Sequence, residues 1–158
     1  MLEHTPFAEG GHAGLTIGFD IGGTNLRAAV IDPSGEIVDS LSVPTATDAQ
    51  TLEDDIVRCV DTLAASHDIE AVGLALAGFL DPECEVVRFA PHLPWRDAPV
   101  REILSNRVDV PVRLEHDANS AAWGEWRFGA GRGAKDWVFF AVGTGIGATL
   151  FTDGTIYR

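Results

Sequence analysis

Residues 15–43 read as three strands in succession around two tight turns, and this opening restricts the architectures available to the rest of the chain. Residues 15–21 and 26–31 are β-favouring apolar runs on either side of the bend Gly22-Gly23-Thr24-Asn25. Asp32-Pro33-Ser34-Gly35 puts proline and glycine at positions a β-turn favours, and 36–43 follows as a third strand. The chain therefore begins as an antiparallel meander and then alternates. Thr47-Asp48-Ala49-Gln50 resembles a capping box. The helix after it carries Ala49, Leu52, Ile56, Val60 and Leu63 on one face, with Glu53, Asp54, Arg58 and Asp61 largely off it, and ends near His67. Residues 71–77 form the near-continuous apolar run of a buried parallel strand. Residues 85–89 read as extended, and Asp97 is predicted to cap a short helix through Arg107. Residues 110–115 read as a strand with Pro111 at its start, and 117–128 as a helix stopped by Gly129. Residues 137–142 and 148–151 are two strands around a second glycine bend, and Asp153-Gly154 turns the chain into a last partial strand. A meander followed by alternating helices and strands predicts an α/β fold, a mixed β-sheet with flanking helices.

Composition sets bounds on function. Of 158 residues, 24 are acidic and 11 are Lys or Arg, a formal net charge of −13 that repels phosphate backbones over most of the surface and excludes general nucleic-acid binding. Cys59 and Cys84 are far apart and form neither a metal-ligand cluster nor a disulfide framework, which points to a reducing, cytoplasmic setting. Residues 1–14 lack a basic start and an apolar core and read as a flexible tail, not a signal peptide. No apolar run reaches membrane-spanning length, so no membrane partner is expected.

The two bends carry more than a turn requires. Glycine lets backbone amides approach a ligand with no Cβ in the way, and successive amides form an anion-binding nest. Thr24 and Asn25 add side-chain donors, and Gly143-Thr144-Gly145-Ile146-Gly147 repeats the chemistry. Asp20 just before the first bend would repel phosphate, but it fits as the holder of a divalent cation that bridges to phosphate oxygens through water. Each bend alone reads equally well as a plain hairpin turn. Neither is a dinucleotide fingerprint, because the glycine spacing is absent and a strand follows.

The segment Leu114-Glu115-His116-Asp117-Ala118-Asn119 joins a strand end to a helix start. Ligands of α/β sheets collect at the carboxyl ends of strands, where Asp117 can act as general base toward a hydroxyl that attacks phosphorus. By itself it also reads as an N-cap. Trp95, Trp123, Trp126 and Trp137 read as core or interface residues. Trp137, Phe139, Phe140 and Phe151 are expected to leave apolar surface on the last strands.

Taken in order, these segments resemble the ROK family of sugar kinases and sugar-responsive repressors, and most nearly its actinobacterial glucokinases. Asp20-Ile21-Gly22-Gly23-Thr24-Asn25 is similar to the family's first phosphate motif, Gly143 to Gly147 to its second, and Glu115-His116-Asp117-Ala118-Asn119 to its catalytic Glu-Asn-Asp-Ala-Asn motif. Ala77-Gly78-Phe79-Leu80-Asp81 and Ala90-Pro91-His92-Leu93-Pro94-Trp95 resemble its sugar-site segments. The resemblance implies an actin-like ATPase fold of ribonuclease H-like lobes, transfer of the ATP γ-phosphate to the 6-hydroxyl of a hexose, and a homo-oligomer in the full-length form. It implies Asp117 as catalytic base and Gly78, His92, His116 and Asp117 as glucose-facing positions. It also implies Asp20, Gly22, Gly23, Thr24, Asn25, Gly143, Thr144, Gly145 and Gly147 around ATP, with Mg²⁺ at Asp20. Residues 15–134 would be the first lobe and 135–158 the opening strands of a second, with the family's Gly-His sugar motif, structural zinc site and adenosine pocket outside these 158 residues.

His116 stands where the family has asparagine, which leaves mannose or N-acetylmannosamine open beside glucose. Two other readings compete. A non-catalytic sugar-binding or assembly module would share the motifs without activity. A repressor would need a DNA-binding domain ahead of Leu15, where 14 residues stand.

Overall fold

The computed structural model describes residues 14–143 and 145–158. Strands β1 (Leu15–Ile21), β2 (Asn25–Ile31) and β3 (Ile37–Pro44) form the expected meander. Helix α1 (Ala49–Ala64) carries the chain back so that β4 (Ile69–Leu76) lies parallel to β1. Three short strands, β5 (Phe79–Leu80), β6 (Val87–Phe89) and β7 (Arg96–Ala98), make a small sheet of their own. Helix α2 (Val100–Ser105) leads into β8 (Val112–His116), which pairs parallel with β4. The main sheet thus has the order β3-β2-β1-β4-β8. After α3 (Asp117–Phe128), strands β9 (Trp137–Val142), β10 (Ile146–Thr152) and β11 (Thr155–Ile156) form a separate antiparallel sheet. Helix α3 lies between the two sheets and touches β4 and β8 on one side and β9 and β10 on the other.

Strand alternation decides which residues are buried. Ile17, Phe19 and Ile21 of β1, Leu26, Ala28 and Val30 of β2, and Val72, Leu74 and Leu76 of β4 all enter the core, where they join Leu52, Ile56, Val60 and Leu63 of α1. Asp20 has the opposite phase and stays exposed.

Four local expectations are corrected. The cap of α1 sits one residue later than the predicted box: Asp48 is the N-cap, and its Oδ1 accepts from the Thr51 N–H at 2.9 Å. Glu53 is not off the buried face. It is 7% exposed, and its Oε1 accepts from Trp95 Nε1 at 3.1 Å, so a polar partner from a distant loop overrides the helical pattern. Asp97 caps nothing: it lies in β7 with φ 45°, and Pro99 precedes a helix that runs only to Ser105. Phe151 is buried, not exposed, stacked on Trp137 at 4.7 Å and Trp126 at 6.0 Å. The exposed apolar face of the second sheet is instead Val138, Phe140, Val142, Ile146 and Leu150, set by the alternation of β9 and β10.

The Trp95–Glu53 bond gives a stability test. Trp95→Phe leaves a buried carboxyl without its donor and should cost about 1–3 kcal/mol in urea denaturation. Glu53→Gln keeps an acceptor and should cost less. A larger loss for Glu53→Gln than for Trp95→Phe would contradict this account of the core.

Candidate active site

Parallel pairing brings the motif-bearing strand ends together. Ile21, Leu76 and His116 stand side by side across β1, β4 and β8, and in the row before them so do Asp20, Ala75 and Glu115. Asp20 and Glu115 therefore share a sheet face, two strands or about 10 Å apart. The first bend leaves β1 at this edge, Gly78 follows β4, and Asp117 follows β8.

The first bend is closed by the Gly22 N–H donating to the Asn25 carbonyl at 3.0 Å. It is held from behind by Thr45, whose Oγ1 donates to the Gly22 carbonyl at 2.7 Å and whose N–H donates to the Thr24 carbonyl at 3.0 Å. Gly22 thus spends its amide on the turn, and Gly23, Thr24 and Asn25 form the exposed tip. Left-handed backbone is not why glycine stands here: among the described residues, the glycines with positive φ are Gly35, Gly133 and Gly154. Gly23 is required by close approach, because a Cβ there would lie 2.7 Å from His92 Cβ. Buried Leu93 and Trp95 anchor that segment and hold His92 out at the surface against the bend. Gly78 is buried for a similar reason: a Cβ would stand 2.9 Å from Ala90 Cβ and 3.0 Å from the Phe89 carbonyl oxygen.

Past Leu80, Asp81 shapes the return loop. Its Oδ1 accepts from the amides of Glu85 at 2.7 Å and Val86 at 2.9 Å. Burial works against its charge, but the amides of Val86 and Glu85, the Arg88 charge and its own amide together outweigh burial and hold the carboxyl below the usual carboxylate range.

Asp117 is the first residue of α3, and the N-cap is His116. The Ala118 N–H is shared, 2.7 Å from Asp117 Oδ1 and 3.3 Å from His116 Nδ1. His116 Nδ1 lies 3.0 Å from Asp117 Oδ1, and the two side chains are 40% and 45% exposed, which leaves both within reach of a ligand. The second bend is closed by the Gly143 N–H donating to the Gly145 carbonyl at 2.9 Å. A Cβ on Gly143 or Gly145 would meet nothing within 4 Å, whereas one on Gly147 would come within 3.0 Å of Ala118 Cβ. The second bend therefore closes onto the first turn of α3, beside Asp117. Thr144 lies outside the described residues.

Asp20 is 64% exposed, and Arg27, its cross-strand partner, places Nη1 3.6 Å from the carboxylate. Among the described residues no three His, Cys, Asp or Glu side chains converge as a metal cluster. A single exposed carboxylate still suits Mg²⁺, which keeps several waters and takes its remaining ligands from phosphates.

Sequence reasoning missed Arg27 and the hub formed by Glu115. Counting outward from the Gly-Gly bend would have placed Arg27 opposite Asp20. Glu115 stands inside the motif read from the sequence, but its role there was hidden, because Arg158 reaches it from beyond β11, 43 residues on.

The ROK family model matches residues 16–158. The chain belongs to the ROK family. The glucokinase of Streptomyces coelicolor is 41% identical over 145 residues, which cover 92% of this chain and 46% of that protein. The crystal structure of a ROK family glucokinase from Streptomyces griseus in complex with glucose and AMPPNP superposes with a TM-score of 0.85 at 43% identity, covering 92% of this chain and 46% of that one. An inorganic polyphosphate/ATP-glucomannokinase from Arthrobacter sp. strain KM superposes with a TM-score of 0.79 at 28% identity, covering 90% and 60%. This ROK chain thus spans about half the length of the relatives it matches first. Its fold is that of the actin-like ATPases, a mixed sheet with flanking helices. Among the described residues no helix is long and apolar enough to cross a membrane.

The two bends should respond differently to a methyl group. Gly23→Ala pushes against His92 and should cost about 1–3 kcal/mol in chemical denaturation, while Gly143→Ala should leave stability unchanged. Equal stability of the two variants would show that the contact between the first bend and the His92 segment carries no strain.

Proposed function

We propose that this chain provides the acceptor site and both phosphate bends of an ATP-dependent ROK hexokinase of the glucokinase type. In this reading residues 15–134 form the first lobe and 135–158 open the second, while the tail expected over 1–14 lies, but for Gly14, outside the described residues. The observation that carries the proposal is the placement of Asp117, half-exposed at the carboxyl edge of the main sheet and flanked by one bend across the sheet and by the other on α3. Family membership and the similarity to glucokinases support it.

The chemistry divides among the chain's own residues. Asp117 accepts the proton of the sugar 6-hydroxyl as that oxygen attacks the γ-phosphorus. Gly78, His92 and His116 line the hexose, and the Ala118 N–H, 2.7 Å from Asp117 Oδ1, keeps its carboxylate oriented. Gly23, Thr24 and Asn25 of the first bend and Gly143, Thr144, Gly145 and Gly147 of the second hold the ATP phosphates, with Gly22 closing the first turn. Asp20 would hold the accompanying Mg²⁺, which when bound neutralises phosphate charge. Arg27, 3.6 Å from the Asp20 carboxylate, offers a second cation to the phosphates.

His116 favours keeping the hexose open. Its Nδ1 faces the Ala118 N–H and Asp117 Oδ1 and bonds one or the other according to its protonation, so it meets a sugar hydroxyl through the rest of the ring, with a reach unlike that of asparagine. Mannose and N-acetylmannosamine are therefore tested beside glucose, and polyphosphate beside ATP.

Clamping phosphoryl groups needs both lobes closed, so residues 1–158 alone should show no turnover of glucose with ATP and Mg²⁺. Fused to the C-terminal half of the Streptomyces coelicolor glucokinase, the chain should phosphorylate glucose. Asp117→Asn in that fusion should lower kcat by about 10²–10⁴ with sugar binding retained. A turnover number within twofold of the unsubstituted fusion would remove Asp117 from the role of base.

A further inference from the structure

We propose that Glu115 is a positioning residue that ties the loop carrying His116 and Asp117 to the second sheet through Arg158 and Thr149; the sugar-affinity part of this inference rests on the function proposed above. Three donor residues converge on one carboxylate. Glu115 Oε1 accepts from the His116 N–H at 2.9 Å and from Asn119 Nδ2 at 3.0 Å. The Arg158 guanidinium forks onto the same group, with Nη2 against Oε2 and Nη1 3.4 Å from Oε1. Asn119 is fixed in turn at its other end, where Oδ1 accepts from Thr149 Oγ1 at 2.8 Å. Thr149 is 3% exposed and the Glu115 side chain 16% exposed, so water competes little for these bonds.

The geometry assigns each member a task. The His116 N–H lies at the end of β8, where the ladder stops and α3 has not begun, and it is one of the donors a helix start leaves without an intrahelical partner. Glu115 satisfies it and thereby sets the direction in which His116 and Asp117 leave the strand. A carboxylate this far from water needs a cation, and Arg158 is the one that reaches it. Thr149 stands two residues beyond Gly147, so the strand that leaves the second bend is bonded through Asn119 to the loop that carries the candidate base. The ordinary role for such a pair, a surface ion pair of little energetic weight, does not account for the two further bonds on the same oxygen or for the buried hydroxyl behind them.

The test uses residues 1–158 with Arg158→Met, Thr149→Val, the double variant and Arg158→Lys. Hydrogen exchange at the His116 amide and calorimetric titration with glucose are the readouts. Arg158→Met and Thr149→Val should each speed His116 exchange and weaken glucose binding about tenfold. The double variant should lose less than the product of the two, because both act through Glu115. Arg158→Lys, which keeps the charge without the fork, should recover part of the loss. Wild-type exchange at His116 in both single variants overturns the proposal, and so does an acceleration spread evenly over the whole protein. If the unsubstituted chain binds no glucose, the sugar reading fails for this chain, and His116 exchange alone decides: local acceleration upholds the positioning role and unchanged protection ends it.

Discussion

The parallel pairing of β1 with β4 and of β4 with β8 is the constraint on which the rest of this structure depends. It aligns Ile21, Leu76 and His116 in one row, and therefore sends three different connections out of the same edge of the sheet. An antiparallel partner at either place would have put one of the three segments at the far edge. The register is fixed by burial: a slip of one residue would turn Ile17, Phe19 and Ile21 to the face where Asp20 now sits. The hydrophobic alternation that builds the core is thus the same device that aims Asp20 and Glu115 toward the side occupied by α3.

Around that edge, packing and chemistry use the same residues. Gly23 lets the first bend close on His92, Gly78 lets the end of β4 close on Ala90, and Gly147 lets the second bend close on Ala118. In each case the missing Cβ brings two motif-bearing segments into contact that sequence distance separates. Electrostatics then divides the acids. Asp81 is spent on its own loop and Glu115 on the start of α3, while Asp20 and Asp117 remain exposed. Burial first and the charge of Glu115 second push the thiol of Cys84, beside Arg158, up.

Much of this was legible in the chain. The meander, α1, the apolar β4, α3 with its Gly129 stop and the hairpin around the second bend all follow from periodicity and turn chemistry, because each is decided by residues close in sequence. What was not legible depends on partners that arrive from far away. Glu53 reads as a surface acid until Trp95 reaches it from a loop 42 residues later. Phe151 reads as exposed until Trp126 and Trp137 enclose it. Asp97 reads as a cap because nothing local announces the strand that holds it. At the candidate site the residue types were legible through motif resemblance, whereas the hub on Glu115 required knowing that Arg158 returns to it and Thr149 to its partner Asn119.

The central claim is that the carboxyl edge of β1, β4 and β8 is the ligand site. Amide chemical-shift mapping of the isotopically labelled chain tests it most directly, with glucose and AMPPNP-Mg²⁺ added in turn. The account predicts glucose perturbations centred on residues 78, 92, 116 and 117, and nucleotide perturbations centred on 20–25 and 143–147. Shifts centred instead on the cavity at the opposite edge, lined by His67, Arg107 and Asp109, would contradict it.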